Sequence, residues 1–314
     1  MSVSSWGVFL GTHNSTVVIM TLEERTRELQ VEMIPAERIN RKKFSGGFPL
    51  ASIKYILSEY ADNLHLERVG GNCYYSTYEE METRLLTPVL KNLMNSTRLN
   101  KFLRGHNKNF RDYSHHLCHA FSYLFQFPFR ESLIVVADGV GNKKSEHPSI
   151  GAIMEVLPSC SDTEPRESFS VYHQKGDHVE CIYKEYEVTY SKNYKGKIVA
   201  TGASLGNIYA AGAYVVFGSW LMSGKLMGLS IYGKPDLAIC EKYKLEPLKF
   251  LEEYIWQKEF SWLDKGSFDQ LPECDFQARA NFAATIQHYH TQRIIGMIKA
   301  VSDKKPEVKN IALA

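Results

Sequence analysis

The chain has 314 residues, 44% hydrophobic and 23% charged, with a formal net charge of +2. That is enough apolar material for two lobes, and too little charge to require nucleic acid or an anionic membrane as partner. Six scattered cysteines without a Cys-x-x-Cys pair exclude a zinc ribbon or disulfide framework and fit reduced thiols in a cytoplasmic protein.

The opening "MSVSSWGVFLGTH" has no basic region, and its apolar run is too short for a signal peptide. Residues 6–20, "WGVFLGTHNSTVVIM", read as strand, tight turn, strand. Residues 49–63 have helical spacing at Ile53, Ile56 and Leu57, and residues 76–96 read as a second amphipathic helix. Residues 105–111 are polar and loop-like. Residues 132–156 repeat the opening plan: a buried strand ends at Asp138, a glycine-rich loop follows, and a second strand returns. Residues 157–170 form a turn-rich excursion, and 169–188 alternate as strand. The longest apolar run, 208–222, is glycine-broken and too short to span a membrane, so it reads as a buried helix. A long helix at 278–304 and the beginning of a strand in "VKNIALA" close the chain. Two strand–loop–strand units, each opening a half, point to a duplicated α/β architecture divided into residues 1–128 and 129–314.

Residues 111–125, "RDYSHHLCHAFSYLF", place three histidines at the start of an apolar helix. His115 and His119 are four apart and share a face; His116 points away, and Leu117, Phe121 and Leu124 are expected on the buried side. Two imidazoles so spaced can grip one divalent metal, with Asp138 at the end of "LIVVAD" as third ligand. Two histidines and a carboxylate suit iron(II), manganese or zinc. The competing reading is a histidine pair on a helix surface and an aspartate that shapes a turn.

Several blocks in order resemble the N-terminal domain of the carbamoyltransferases of the nodulation, cephamycin and tobramycin type. They are "GTHNSTVVI", "PAERINRKKFSGGFPLASIKYIL", "HHLCHAFSYLFQFPF" with "IVVADGVG", "SLGNIYAAGAYVVFGSWLMSGKLMGLSIYGKP" and "NFAATIQHYHTQRI". The resemblance implies an actin-like, sugar-kinase-like fold of two ribonuclease-H-type lobes around a nucleotide cleft, the second lobe incomplete. It implies transfer of a carbamoyl group from carbamoyl-adenylate, made from carbamoyl phosphate and ATP, to a small-molecule acceptor hydroxyl. It also implies a divalent metal, iron(II) foremost, on His115, His119 and Asp138.

The same resemblance gives roles to other positions. His13 is expected to exchange a proton with the acceptor or the carbamoyl oxygen, with Lys43 beside it as a catalytic cation. Gly11, Asn14, Gly139 and Gly141 would present backbone N–H groups to phosphates. Arg38 and Arg41 would add positive charge. Lys225, in "GSWLMSGKL", joins the cofactor-binding set through the family's Gly-Lys block, although its glycine spacing and the leucine after it rule out a P-loop. Gly228 and Gly233 are expected to pack tightly beneath the site, and Met222 and Met227 to be core. His116 is expected to support the metal ligands from behind or to be structural, His288 and His290 to be incidental, and His173 and His178 carry no assignment.

The chain departs from the family pattern at Asn14, usually aspartate; at Phe44, often histidine; and at Ser223, often acidic. It also stops before the family's Gly-Gly-Val-Ala-Leu-Asn motif and its YrdC-like adenylate-forming domain, so it reads as a fragment. The alternatives are a tRNA threonylcarbamoyltransferase-like protein and a non-catalytic nucleotide-binding remnant. No membrane partner is expected, nucleic acid is disfavoured by the near-neutral charge, and a homodimer is left open.

Overall fold

The computed structural model describes residues 2–10, 15–42, 50–60, 66–73, 110–124, 129–146, 152–157, 164–188, 190–194, 197–256 and 273–314. The second amphipathic helix expected at 76–96 lies outside them. The chain is a mixed α/β protein of two compact units, Met1–Cys118 and His119–Ala314. The division falls inside a continuous helix, His115–Leu124, and before the 128/129 boundary expected from the sequence.

The first unit is built on a five-stranded sheet of order β3-β2-β1-β4-β5. Its strands are β1 (Ser2–Leu10), β2 (Thr16–Glu23), β3 (Glu28–Pro35), β4 (Leu66–Cys73) and β5 (Phe110–Asp112). β1, β2 and β3 form the antiparallel meander that their alternation predicts, with Val8 opposite Val17 and Trp6 opposite Ile19. β4 returns parallel to β1, and β5 parallel to β4. Thus the end of the stretch read as loop, at Phe110–Asp112, is a short strand. Helices α1 (Ala36–Asn40) and α2 (Leu50–Tyr60) accompany the sheet. Ile53 and Ile56 of α2 are fully buried with Val17, Ile19, Ile34 and Ala36. Each such side chain contributes about 1.5–3 kcal/mol by leaving water.

The second unit has a five-stranded sheet of order β12-β6-β8-β9-β7 and a separate β10-β11 ribbon. The strands are β6 (Glu131–Ala137), β7 (Met154–Val156), β8 (Arg166–Lys175), β9 (His178–Glu187), β10 (Tyr190–Tyr194), β11 (Lys197–Thr201) and β12 (Ile311–Leu313). β6, β8 and β9 are again an antiparallel meander, and β12 again lies parallel on the far side of the first strand. Strand order and sense therefore repeat those of β1, β2, β3 and β4.

One expectation fails here. The strand returning along β6 is β8, not the end of the 132–156 unit. Met154–Val156 instead pairs parallel with β9 at the sheet edge. The expected hairpin does not close because the loop after Asp138 is hydrogen-bonded to the start of β8: Gly141 N–H donates to Glu167 O (2.7 Å) and Glu167 N–H to Asn142 O (3.0 Å).

Two cores support this unit. One lies under the sheet, where Leu133, Val135, Phe169, Val171 and Ile182 meet Met297 and Val301 of the long helix α7 (Glu273–Ser302). The other is helical. It joins α4 (Leu205–Phe217), α5 (Ser223–Ser230), α6 (Leu237–Lys242), the π-helical turn Phe250–Trp256 and the first half of α7. Phe250 and Tyr289 stack in it at 3.8 Å. The apolar run is largely buried from Ile208 to Val216, but the helix stops at Gly218, whose φ of 72° ends it in a left-handed cap, and Leu221 beyond it is exposed. Gly233 packs where a Cβ would lie 1.9 Å from Ala280 O, whereas a Cβ on Gly228 would meet nothing. Met222 packs against the core, while Met227 is 57% exposed. The packing roles expected of Gly228 and Met227 are thus corrected: both sit on the outer face of α5. Among the described residues no single helix is long and apolar enough to cross a membrane.

Candidate metal centre

Helix α3 (His115–Leu124) begins at the buried Ser114, whose hydroxyl accepts from Leu117 N–H at 3.4 Å and whose carbonyl accepts from Cys118 N–H at 2.9 Å. This N-cap sets the helix so that His115 occupies its first position and His119 lies one turn on. The buried face is not the one read from hydrophobicity. His116, Ala120 and Tyr123 are buried, while Phe121 is 37% exposed. His116 therefore belongs to the packed side, and its ring lies 6.2 Å from that of His115. The half-buried His115 and His119 share the face next to it, about a quarter turn away.

Asp138 follows β6, the strand whose Leu133, Ile134, Val135 and Val136 are all buried. One ligand atom from each of His115, His119 and Asp138 lies within 4.8 Å of the others. Asp138 Oδ2 is 3.9 Å from His119 Nε2, and both side chains keep partial access to solvent. A divalent ion with bonds of about 2.0–2.2 Å needs ligand atoms roughly 3–4 Å apart. The donor set fits such an ion with small side-chain adjustments.

Asp138 is braced from behind. Its Oδ1 accepts from Gly139 N–H at 2.6 Å, which leaves Oδ2 toward His119. Gly139 O accepts from the hydroxyl of Ser204, the N-cap of α4, and the same hydroxyl accepts from Asn207 N–H at 3.1 Å. Gly206 lies so close that a Cβ there would sit 2.5 Å from Gly139 N and 2.8 Å from the Asp138 carbonyl carbon. Behind this contact is Glu187, at the end of β9. Its carboxylate accepts from Ser204 N–H and from the Asn207 amide, the latter at 2.7 Å. Burial pushes the Glu187 carboxyl up to about 8, although these donors pull the other way.

The far end of the loop is held by a second buried carboxylate. Glu167 accepts from Lys184 Nζ at 2.6 Å and from Asn142 N–H at 3.2 Å, and the Lys184 and Glu167 side chains are 1% and 3% exposed.

The other expected site residues divide into three groups. His13, Lys43, Gly11 and Asn14 lie outside the described residues. Arg38, Arg41 and Lys225 are exposed: Arg38 on α1, Arg41 at its left-handed C-cap, and Lys225 on α5. Gly139 and Gly141 sit in the loop after β6, but their N–H groups donate to Asp138 and Glu167. In this arrangement they shape the aspartate loop instead of pointing free donors outward. His290, expected to be incidental, packs on the edge of the core: it meets Tyr209 edge-to-face at 5.2 Å, and burial lowers its pKa.

The residues that sequence reasoning passed over are Glu187, Ser204, Asn207, Glu167 and Lys184. Ser204 and Asn207 had a readable signal, the N-cap pattern of "SLGN" ahead of an apolar helix. Glu187 and the Lys184–Glu167 pair had none, because strand alternation does not reveal which charged residues are buried.

A family model described as "Carbamoyltransferase N-terminus" matches residues 6–314. An uncharacterized protein of Methanocaldococcus jannaschii, MJ1058, is 26% identical over 230 residues, covering 72% of this chain and 33% of its own length. A second from the same organism, MJ1051, is 33% identical over 108 residues, covering 34% of this chain and 17% of its own. The chain thus spans about a third or less of the curated relatives it matches. Among solved structures, an Aquifex aeolicus Ppx/GppA family member covers 97% of this chain and 99% of its own, at 10% identity and a TM-score of 0.29.

Proposed function

The chain belongs to the carbamoyltransferase N-terminus family, and from that premise we propose that it is the transfer domain of an ATP-dependent O-carbamoyltransferase. It moves a carbamoyl group from carbamoyl-adenylate, formed from carbamoyl phosphate and ATP, to an acceptor hydroxyl in secondary-metabolite or saccharide biosynthesis. The repeated strand order of the two sheets favours the actin-like, duplicated ribonuclease-H-type reading. The observation that carries the proposal is the convergence of His115, His119 and Asp138 within 4.8 Å.

In this reading the three side chains hold one divalent ion: iron(II), manganese or zinc. Bound there, the ion would neutralise oxygen charge on the acyl phosphate. The chain's own residues prepare that place. Gly139 N–H fixes one Asp138 oxygen and so orients the other. Ser204 and Glu187 hold the Gly139 peptide still, so little reorganisation is needed when charge arrives. His115 and His119 are kept one turn apart by the helix itself. His13 and Lys43 are proposed for proton exchange and charge stabilisation on the acceptor side.

Metal analysis tests this directly. The purified chain is expected to carry about one equivalent of a divalent metal, and His119→Ala to lose it together with transfer from carbamoyl phosphate and ATP in the full-length enzyme. Undiminished metal in a folded His119→Ala variant would refute the ligand assignment.

A further inference from the structure

A separate cavity of about 220 Å³ lies within the second unit, between the start of β8, the end of β9 and the second half of α7. Its walls are mostly apolar, with Phe169, Leu205, Leu248 and Met297 among them. An apolar cavity of about 150 Å³ accommodates benzene, so this one has room for a ring and a small polar group.

Three charged side chains line it: Glu185, Glu187 and Arg293. Two are already engaged. Glu185 takes the hydroxyl of Tyr183, and Glu187 takes Ser204 N–H and the Asn207 amide. Arg293 is not. Among the described residues its buried Nε has no hydrogen-bond partner, and its hydrogen bond to Lys244 O is long at 3.5 Å. A guanidinium has five N–H donors in a planar fork matched to a carboxylate, and a half-buried one this poorly served leaves most of that capacity unused.

We propose that this cavity is a binding site for a small organic carboxylate with an apolar body, its anionic head on Arg293 and its body against Phe169, Leu205, Leu248 and Met297. The site is independent of the transfer reaction proposed above. It shares a wall with the aspartate loop, since Ser204 and Glu187 line the cavity and also hold Gly139.

Benzoate is the probe, titrated into the intact chain by calorimetry, with benzamide and benzylamine as neutral and cationic counterparts. Saturable one-site binding of benzoate is expected, weakened at least about tenfold for benzamide and for Arg293→Met. Leu248→Trp, which fills the cavity from an exposed wall position, is expected to abolish it with the circular dichroism spectrum unchanged. The proposal fails if wild type shows no saturable benzoate binding, or if benzylamine binds more tightly than benzoate. It fails equally if folded Arg293→Met binds benzoate as wild type does. Should Arg293→Met not fold, Leu248→Trp decides, and unchanged benzoate affinity in that variant overturns the proposal.

Discussion

The two sources of candidate ligands are held in different ways. Asp138 stands on a loop anchored at both ends by buried carboxylates, Glu187 behind Gly139 and Glu167 behind Asn142. The histidine pair depends on one helix, its Ser114 cap and the burial of His116, Ala120 and Tyr123 on the adjoining face. The carboxylate is thus fixed by a network spread over four segments of sequence, and the imidazoles by local helix geometry. A network of that kind orders a group finely but transmits any fault in its members. A helix tolerates local change, because its 3.6-residue repeat continues to present both side chains together.

This contrast can be broken most sharply at Gly206. Gly206→Ala drives a Cβ into the Gly139 backbone, which cannot swing aside as a flexible side chain could. The expected result is a loss of about 1–3 kcal/mol in chemical denaturation. Divalent-metal affinity should fall about tenfold or more by competition titration, although no ligand is altered.

Glu187→Gln sharpens it through pH. In the unfolded chain Glu187 releases its proton near the ordinary 4.5, and in the folded chain at about 8. Between those values the folded state keeps a proton that the unfolded state has lost. Its contribution is therefore complete below about 4.5 and disappears as pH rises to about 8. Thermal melts across this window should show stability falling with pH in wild type and a flatter profile in Glu187→Gln.

Ser114→Ala, on the helix side, is the mildest. It should cost about 1 kcal/mol in denaturation and leave metal affinity within about twofold, because the remaining turns keep His115 and His119 in register. A large loss of metal in Ser114→Ala would show that the helix end is as finely tuned as the loop.

Much of the second unit's plan was legible. "LIVVAD" reads as a central strand that delivers its aspartate to a sheet edge, and the spacing of His115 and His119 places both on one face. What failed were choices made by distant partners. β6 could have paired with either following strand, and the hydrogen bonds of Glu167 to the loop accompany its pairing with β8. Phe121 is the more hydrophobic candidate for burial, yet the helix packs through His116, Ala120 and Tyr123. Hydrophobicity ranks side chains without naming the surface they meet. The brace at Glu187 reaches Gly139 through Ser204, a contact between residues 65 apart in sequence. No local pattern carries that information.

The Lys184–Glu167 pair has a consequence for how this domain can change over time. Each charge is almost wholly enclosed, and each is tolerable only because the other is present. Losing either alone strands a buried charge at a cost of about 3–5 kcal/mol, whereas exchanging both for well-fitted apolar residues can be neutral. Single-step substitution at either position is therefore costly. Change at the two positions is therefore expected to be coupled, and with it the path of the aspartate loop that Glu167 holds.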